Sequence, residues 1–431
     1  MMNQTVSVSK PKTARASAAK TKAADEPLIK EKLRILLLEN IHPAADENFQ
    51  AGNLSLIERV SGSPPEKQLT GMLEDVHILG IRSKTQINER VLSSAPKLIA
   101  IGCFCIGTDQ VDLDAAAQRG VAVFNAPFSN TRSVAELTIA EVVMLARRAA
   151  QRSMELHQGR WEKSAEGCME VRRKTIGIVG YGHIGPQVGL LAESLGMRVI
   201  FHDILKKLPL GNARQVSGLE ELLKVSDFVT LHVPDTPLTR RMISHERLQM
   251  MPRGSYLLNL SRGSVVDIEA LRAALVSGHL AGAALDVFPK EPSSRNDPFE
   301  SELCGLHNVI LTPHIGGSTE EAQRNIGLEV SDALISYAQT GSTTNCANLP
   351  EVQLPAMEDS YRLLNIHKDM PGVLSRINGL VARIKVNIKA QAYNTRQGIG
   401  YLIMDVERSL SRAVEPQIEA LDTSIRTRLL V

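Results

Sequence analysis

Three side chains in the second half of the chain have the types needed to take a proton from a hydroxyl group. They are Arg262 in NLSRG, Glu291 in DVFPKEP and His314 in TPHIGGST. Histidine titrates near neutral pH and suits the role of general base. A carboxylate beside it orients the ring and stabilises the imidazolium. An arginine can grip a substrate carboxylate through two parallel hydrogen bonds. Singly, each has an ordinary explanation: a histidine before glycines is a hydrogen-bonded loop residue, and a lone arginine is solvated. Each, however, follows an apolar run that reads as a sheet strand. Ligands of open α/β sheets bind beyond the carboxyl ends of strands, so the three can converge on one site.

The site they would serve is written in IGIVGYGHIGPQVGLLAESLGMRVIFHD, residues 176–203. A short apolar strand leads into Gly180, Gly182 and Gly185 at G-x-G-x-x-G spacing. The first glycine permits a tight turn, the second lets the backbone approach a pyrophosphate, and the third lets helix and strand pack closely. The helix opening near Gly185 turns its free N–H groups and positive end toward the phosphates. Asp203 closes the next strand, 18 residues after Gly185. A carboxylate there accepts hydrogen bonds from a ribose and repels a 2′-phosphate, so the expected cofactor is NAD. A hydride acceptor beside a base, its carboxylate partner and an arginine could together oxidise a hydroxyl group on a substrate that carries a carboxylate.

The chain of 431 residues is 43% hydrophobic, enough for two or three domains with sizeable cores. Its net charge of +2 marks no nucleic-acid partner, and no apolar run approaches a membrane span. Five scattered cysteines, Cys103, Cys105, Cys168, Cys304 and Cys346, suggest free thiols in a reducing compartment. Cys103 and Cys105 lack the partners of a metal site and are expected in a core; no metal is expected.

Residues 1–30, rich in Ser, Ala, Thr and Lys, suit a disordered basic tail without the apolar centre of a secretory signal. The runs LRILLL (33–38), VHILGI (76–81), LIAIGCF (98–104) and VAVFNA (121–126) alternate with helical stretches, the signature of a parallel sheet. One long helix is expected from about Ser133 to Gln158. Beyond it stands Trp161, read as an anchor, preferably at an interface. FVTLHVP (228–234), SYLLNLS (255–261), LAGAALDVF (280–288) and NVILTPH (308–314) complete a second doubly wound sheet around the glycine turn. A helix follows from about Thr319 to Tyr337, then a Gly-, Thr-, Asn- and Pro-containing linker. The last stretch reads βαββαβ, a small ferredoxin-like module.

In these motifs the chain resembles the D-isomer-specific 2-hydroxyacid dehydrogenases, in the branch that acts on 3-phosphoglycerate. The resemblance rests on IRSKTQI, GCFCIGT, FNAPFSNTRSVAEL, GIVGYGHIG, NLSRG, LAGAALDVFPKEP, LTPHIGGST and HKDMPGVL, in the family's order, over about residues 32–431. The last block is similar to an ACT regulatory domain. The resemblance implies a substrate-binding domain at 31–129 and 318–340, an inserted NAD-binding Rossmann domain at 130–317, a linker at 341–358 and an ACT domain at 359–431.

It implies His314 as proton donor and acceptor, Glu291 as its partner and Arg262 as the substrate-carboxylate anchor. NAD contacts fall by resemblance on Gly180, Gly182, His183, Ile184, Gly185, Asp203, Leu260, Ser261, Arg262, Asp286, His314, Ile315, Gly316 and Gly317. Substrate contacts fall on Arg82, Ser83 and Asn130 together with Arg262, with Lys84 able to help Arg82 hold a phosphate. The implied reaction is NAD-dependent oxidation of 3-phospho-D-glycerate to 3-phosphohydroxypyruvate, the first step of L-serine synthesis, with reduction of 2-oxoglutarate to 2-hydroxyglutarate beside it. A cytoplasmic homotetramer is implied, with L-serine as effector at His367, Asp369 and Asn387 between paired ACT modules.

Some positions depart from the pattern. Asp109 stands where the relatives carry Asn, and a carboxylate there would repel an anionic substrate unless paired. Arg173 and Lys385 stand where glycine is common. Asp369 replaces an Asn and loses its donors. Pro186 suits a first helical turn. Two other classes stay open: a dehydrogenase of another D-2-hydroxy acid, and an NAD-sensing scaffold without catalysis.

Overall fold

Apolar runs without alternation mean strands covered on both faces, and the computed structural model shows them so. It describes residues 33–292, 297–355, 359–408 and 413–430; the expected basic tail lies outside them. In the first domain β1 (Arg34–Leu37), β2 (Leu56–Arg59), β3 (Ile78–Ile81), β4 (Ala100–Cys103) and β5 (Ala122–Asn125) form a parallel sheet in the order β2-β1-β3-β4-β5. Every residue of β3 and β4 is buried. The strand β2, LIER, is an exposed edge, which is why no apolar run announces it. Cys103 is in the core, and Cys105 is half-buried.

The second sheet comprises β6 (Thr175–Val179), β7 (Arg198–His202), β8 (Arg214–Gln215), β9 (Phe228–Leu231), β10 (Ser255–Asn259), β11 (Leu280–Leu285) and β12 (Val309–Leu311). Its order, β12-β11-β10-β9-β6-β7-β8, reverses direction between β6 and β9. A crevice opens at such a reversal, and the glycine turn after β6 lies at it.

The helix expected over 133–158 is two. One, Thr131–Ala146, buries Val134, Val142 and Leu145; the other, Ala149–His157, buries nothing. Arg148 breaks the ladder with a left-handed φ of 53°, and its guanidinium bonds Gln151 and the Glu166 carbonyl instead. Trp161, just beyond, is 81% exposed, so its own subunit does not bury it.

The chain returns to the first domain through the helix Glu320–Thr340, capped by Thr319 and closed by Gly341 in the left-handed region. Ile326, Val330, Leu334 and Tyr337 recur at helical spacing and join the core of Ile41 and Phe124. The terminal module forms the antiparallel sheet β14-β15-β13-β16 from β13 (Ser360–Lys368), β14 (Ile388–Arg396), β15 (Ile399–Glu407) and β16 (Ser424–Leu430). With its helices Val373–Arg383 and Glu415–Glu419 this is the βαββαβ order of a ferredoxin-like module.

One face of that sheet does not stand apart. Leu364, Ile366, Tyr401, Ile403 and Leu430 pack into the same core as Phe124 and Tyr337. A buried Arg362–Asp405 pair (two contacts of 2.7 Å) also holds the carbonyls of Thr340, Leu354 and Pro355. Residues 341–355, polar enough in sequence to suggest a linker, are largely buried. Asn348 shows why: its side chain accepts from Val123 N and donates to Val121 O, closing the edge of β5.

Candidate active site

A cleft of about 1160 Å³ separates the two parallel-sheet domains. The second domain contributes its strand ends. The turn after β6 places Gly180 at a φ of +91°, where a Cβ would meet the His232 carbonyl at 2.3 Å. A Cβ on Gly185 would meet the Gly180 carbonyl at 2.4 Å, whereas Gly182 faces open space. The helix Ile184–Ser194 begins at His183 with no side-chain cap, leaving its first N–H groups for a ligand. Open space, uncapped N–H groups and forced glycines together fit a dinucleotide pyrophosphate. Asp203 stands at the end of β7, its carboxylate oriented by Tyr181 N (2.8 Å) and Leu205 N (2.9 Å). It is not among the residues that line the cleft.

Beyond β10, Asn259 organises NLSRG. Its Oδ1 accepts from Ser261 N and Oγ, and its Nδ2 donates to the Arg262 carbonyl. Leu260 and Ser261 line the cleft there, and the Arg262 guanidinium bonds the Ser261 carbonyl at 2.8 Å. Gly263 lets this loop lie against the next: a Cβ would stand 2.0 Å from the Phe288 carbonyl carbon.

Beyond β11 and β12, Asp286 is buried and accepts three hydrogen bonds. Thr312 Oγ1 gives one at 2.6 Å, Ile315 N another at 2.8 Å, and Gly316 N the third at 2.8 Å. Asp286 therefore acts on the turn from inside. The turn holds His314 at a left-handed φ of 54°, a conformation costing on the order of 1 kcal/mol that a non-glycine residue keeps only when its surroundings impose it. His314 Nδ1 is 2.8 Å from Glu291 Oε2 and 3.1 Å from Oε1. That hydrogen bond, opposed by burial, raises the imidazole above its ordinary value. Burial would raise Glu291, but the His314 hydrogen bond and charge, with the Phe288 amide, bring it below the usual carboxylate range. With Nδ1 on Glu291, Nε2 is the ring nitrogen left free to exchange a proton.

The first domain supplies the opposite wall. Arg82, Ser83 and Lys84 follow β3, and Glu39 shapes their loop: its carboxylate accepts from the N–H groups of Arg82, Lys84 and Thr85. Gln110 donates to the Arg82 carbonyl at 2.7 Å. Asn130 lines the cleft at the domain crossing, with its buried Oδ1 unpartnered. Asp109 is paired: its Oδ2 reaches across to Arg262 Nε at 3.6 Å. Glu39, Asn259 and Asp109's partner could not be read from local pattern; an acid directly after an apolar strand was the one signal available for Glu39.

The residues expected to hold an effector do not meet within one chain. His367 is buried with Nδ1 on Asn365 Oδ1 (2.7 Å) and Nε2 unpartnered, and Tyr393 stacks on it. Asp369 is exposed close by. Asn387 is exposed at the other end of β15, its carbonyl accepting from Glu407 N, while His367 pairs with Gly400. The separation along the strand is about 20 Å at ~3.4 Å per residue. Lys385 has a φ of 57° and Arg173 one of 66°, which explains why glycine suits both positions.

Comparisons with known proteins identify the family of both modules. Residues 139–316 match the family described as D-isomer specific 2-hydroxyacid dehydrogenase, NAD binding domain. Residues 363–426 match the AHAS small subunit-like ACT domain. The chain is 52% identical over 405 residues to D-3-phosphoglycerate dehydrogenase of Escherichia coli (strain K12), covering 94% of this chain and 98% of that one. It is 51% identical over 401 residues to the Dictyostelium discoideum protein of the same name, covering 93% and 98%. Among solved structures, the D-lactate dehydrogenase from Aquifex aeolicus complexed with NAD and lactic acid superposes with a TM-score of 0.62 at 29% identity, over 70% of this chain and 95% of that one.

Proposed function

The chain belongs to the D-isomer specific 2-hydroxyacid dehydrogenase family, and from that premise we propose that it oxidises the C2 hydroxyl of 3-phospho-D-glycerate to 3-phosphohydroxypyruvate. This is the first step of L-serine synthesis. The observation that carries the proposal is the meeting, across one cleft, of the His314–Glu291 pair and Arg262 with the basic loop Arg82–Lys84. A substrate with a carboxylate at one end and a phosphate at the other needs cations at both.

NAD, held by the residues after β6 and β7, supplies the hydride acceptor. His314 Nε2 takes the hydroxyl proton as hydride leaves C2. Glu291 stabilises the imidazolium that results. Arg262 holds the carboxylate and polarises the oxygen on which carbonyl character develops. Arg82, Ser83 and Asn130 fix the far end. In the opposite direction a protonated His314 donates, which supports reduction of 2-oxoglutarate to 2-hydroxyglutarate; the second carboxylate would take the phosphate's place at Arg82. The unpaired cysteines support a reducing, cytoplasmic setting.

L-serine is the proposed effector. Two ACT modules packed about a two-fold axis would bring the His367 and Asp369 end of one against the Asn387 end of the other. This arrangement, with the exposed Trp161 of the cofactor domain as a second contact, supports a homotetramer. The test is NADH absorbance with 3-phosphoglycerate, with phosphate-free glycerate, and again with serine added. NADH should form with 3-phosphoglycerate and more slowly with serine. Faster turnover of glycerate would overturn the substrate assignment, and indifference to serine would overturn the effector.

A further inference from the structure

One buried acid has no part in the chemistry above. Glu141 sits on the helix Thr131–Ala146, which packs on β10 and β11. It is 1% exposed, and neither of its carboxyl oxygens has a hydrogen-bond partner. An ionised carboxylate in such a place is costly unless it is paired. Burial first, then the negative charge of Asp286, push its pKa up to about 8, against a smaller opposing effect of the Thr312 hydroxyl. With both oxygens buried and unpartnered, the neutral carboxyl is the form this site favours at neutral pH.

Its neighbours give that proton a use. Thr312 has a single hydroxyl proton, which it gives to Asp286 Oδ1 at 2.6 Å. The same Asp286 carboxylate accepts from Ile315 N and Gly316 N and so folds the turn that presents His314. A neutral Glu141 leaves this arrangement intact. An ionised one competes for the Thr312 proton and sets a second negative charge beside Asp286. Among the described residues no cation acts on it; the adjoining helix Ala149–His157 carries Arg152, which pairs with Glu155, and His157 at its far end. The facing helix Ile184–Ser194 has one ionisable residue, Glu193, which accepts from Asn212 N. On its own helix, Arg132 pairs with Glu136. β10 and β11 carry no charged side chain.

We propose that Glu141 is a positioning residue: its proton keeps Thr312 and Asp286 locked on the 312–317 turn, and its ionisation loosens that turn and with it the grip on NAD. The inference deepens the function proposed above, since it rests on the turn bordering the cofactor and carrying the base.

The test uses the full chain as wild type, Glu141→Gln and Glu141→Leu, neither variant being able to ionise. NADH affinity is measured by fluorescence from pH 7 to 9.5, with amide hydrogen exchange of residues 312–317 followed alongside. The wild type should lose affinity by about ten-fold through this range, the equivalent of one pKa unit of coupling, while exchange in the turn accelerates. Glu141→Gln should keep the pH 7 affinity and lose the alkaline decline. If Gln does not fold, Leu carries the same test.

A cofactor-free readout is the pH dependence of thermal unfolding. The folded wild type holds a proton between the ordinary value of 4.5 and about 8 that the unfolded chain has released, so this group makes stability fall as pH rises across that window. Glu141→Gln should flatten the fall. An alkaline decline that persists in the variants, or is absent from the wild type, would overturn the proposal. A chain that shows the pH pattern with NADH but does not oxidise 3-phosphoglycerate would overturn the functional assignment instead.

Discussion

Asp109→Asn probes the acid that pairs with the proposed substrate anchor. Asp109 Oδ2 lies 3.6 Å from Arg262 Nε, and the two come from opposite walls of the cleft. Two unit charges at that distance attract by about 1 kcal/mol in water. The Asp109 side chain is 73% exposed and that of Arg262 30%, so screening and side-chain entropy leave a net value of about 0.5–1 kcal/mol. A substrate carboxylate that takes Arg262 must displace this partner or share it, and the lost pairing raises KM. Removing the charge while keeping the shape should lower KM for 3-phosphoglycerate by about two- to five-fold, from that energy and RT of ~0.6 kcal/mol. The effect is on binding in ground and transition states alike, so kcat should hold. The assay is steady-state NADH formation at low and high salt. The gap between variant and wild type should narrow with salt, because exposed charges are screened. A KM that is unchanged or higher in Asp109→Asn, or an advantage indifferent to salt, would refute the reasoning.

The pH profile of oxidation should rise as His314 loses its proton, at a pH above histidine's ordinary value because Glu291 holds the imidazolium. Glu291→Gln should move that rise to lower pH and reduce kcat; an unmoved limb would assign it to another group. His314→Ala should lower kcat by about 10² or more while NADH binding persists, as measured by fluorescence titration. Near wild-type turnover would remove His314 from the role of base. Asp203→Ala should shift the ratio of kcat/KM values toward NADP, since the 2′-phosphate no longer meets a carboxylate; an unchanged ratio would take Asp203 off the ribose.

What was legible in the sequence was local. Strand, glycine turn and helix after position 176 can be read because each follows from neighbours a few residues away. Arg262, Glu291 and His314 stood out because each follows an apolar run, and strand ends of one parallel sheet share an edge. The weak edges were not legible: Leu56–Arg59 and Arg214–Gln215 are short, mostly exposed strands at the sheet edges, too short to show a pattern of their own. Nor was the break at Arg148, where a continuous helical pattern crosses a left-handed residue.

The amino-acid sequence by itself determined most of the elements, the cofactor turn and the set of candidate side chains, because backbone propensity and hydrophobic period act over short distances. Only the tertiary structure decided their partners. Glu39 holds the Arg82 loop, Asp109 pairs with Arg262, and the charge of Asp286 bears on the buried Glu141. Only the fold shows that the ACT sheet shares a core with the first domain, and that His367 and Asn387 lie at opposite ends of a strand. Such pairings join residues distant along the chain. Their charge states and hydrogen bonds depend on which groups are buried together, and burial is settled only when the sheets and helices close over one another.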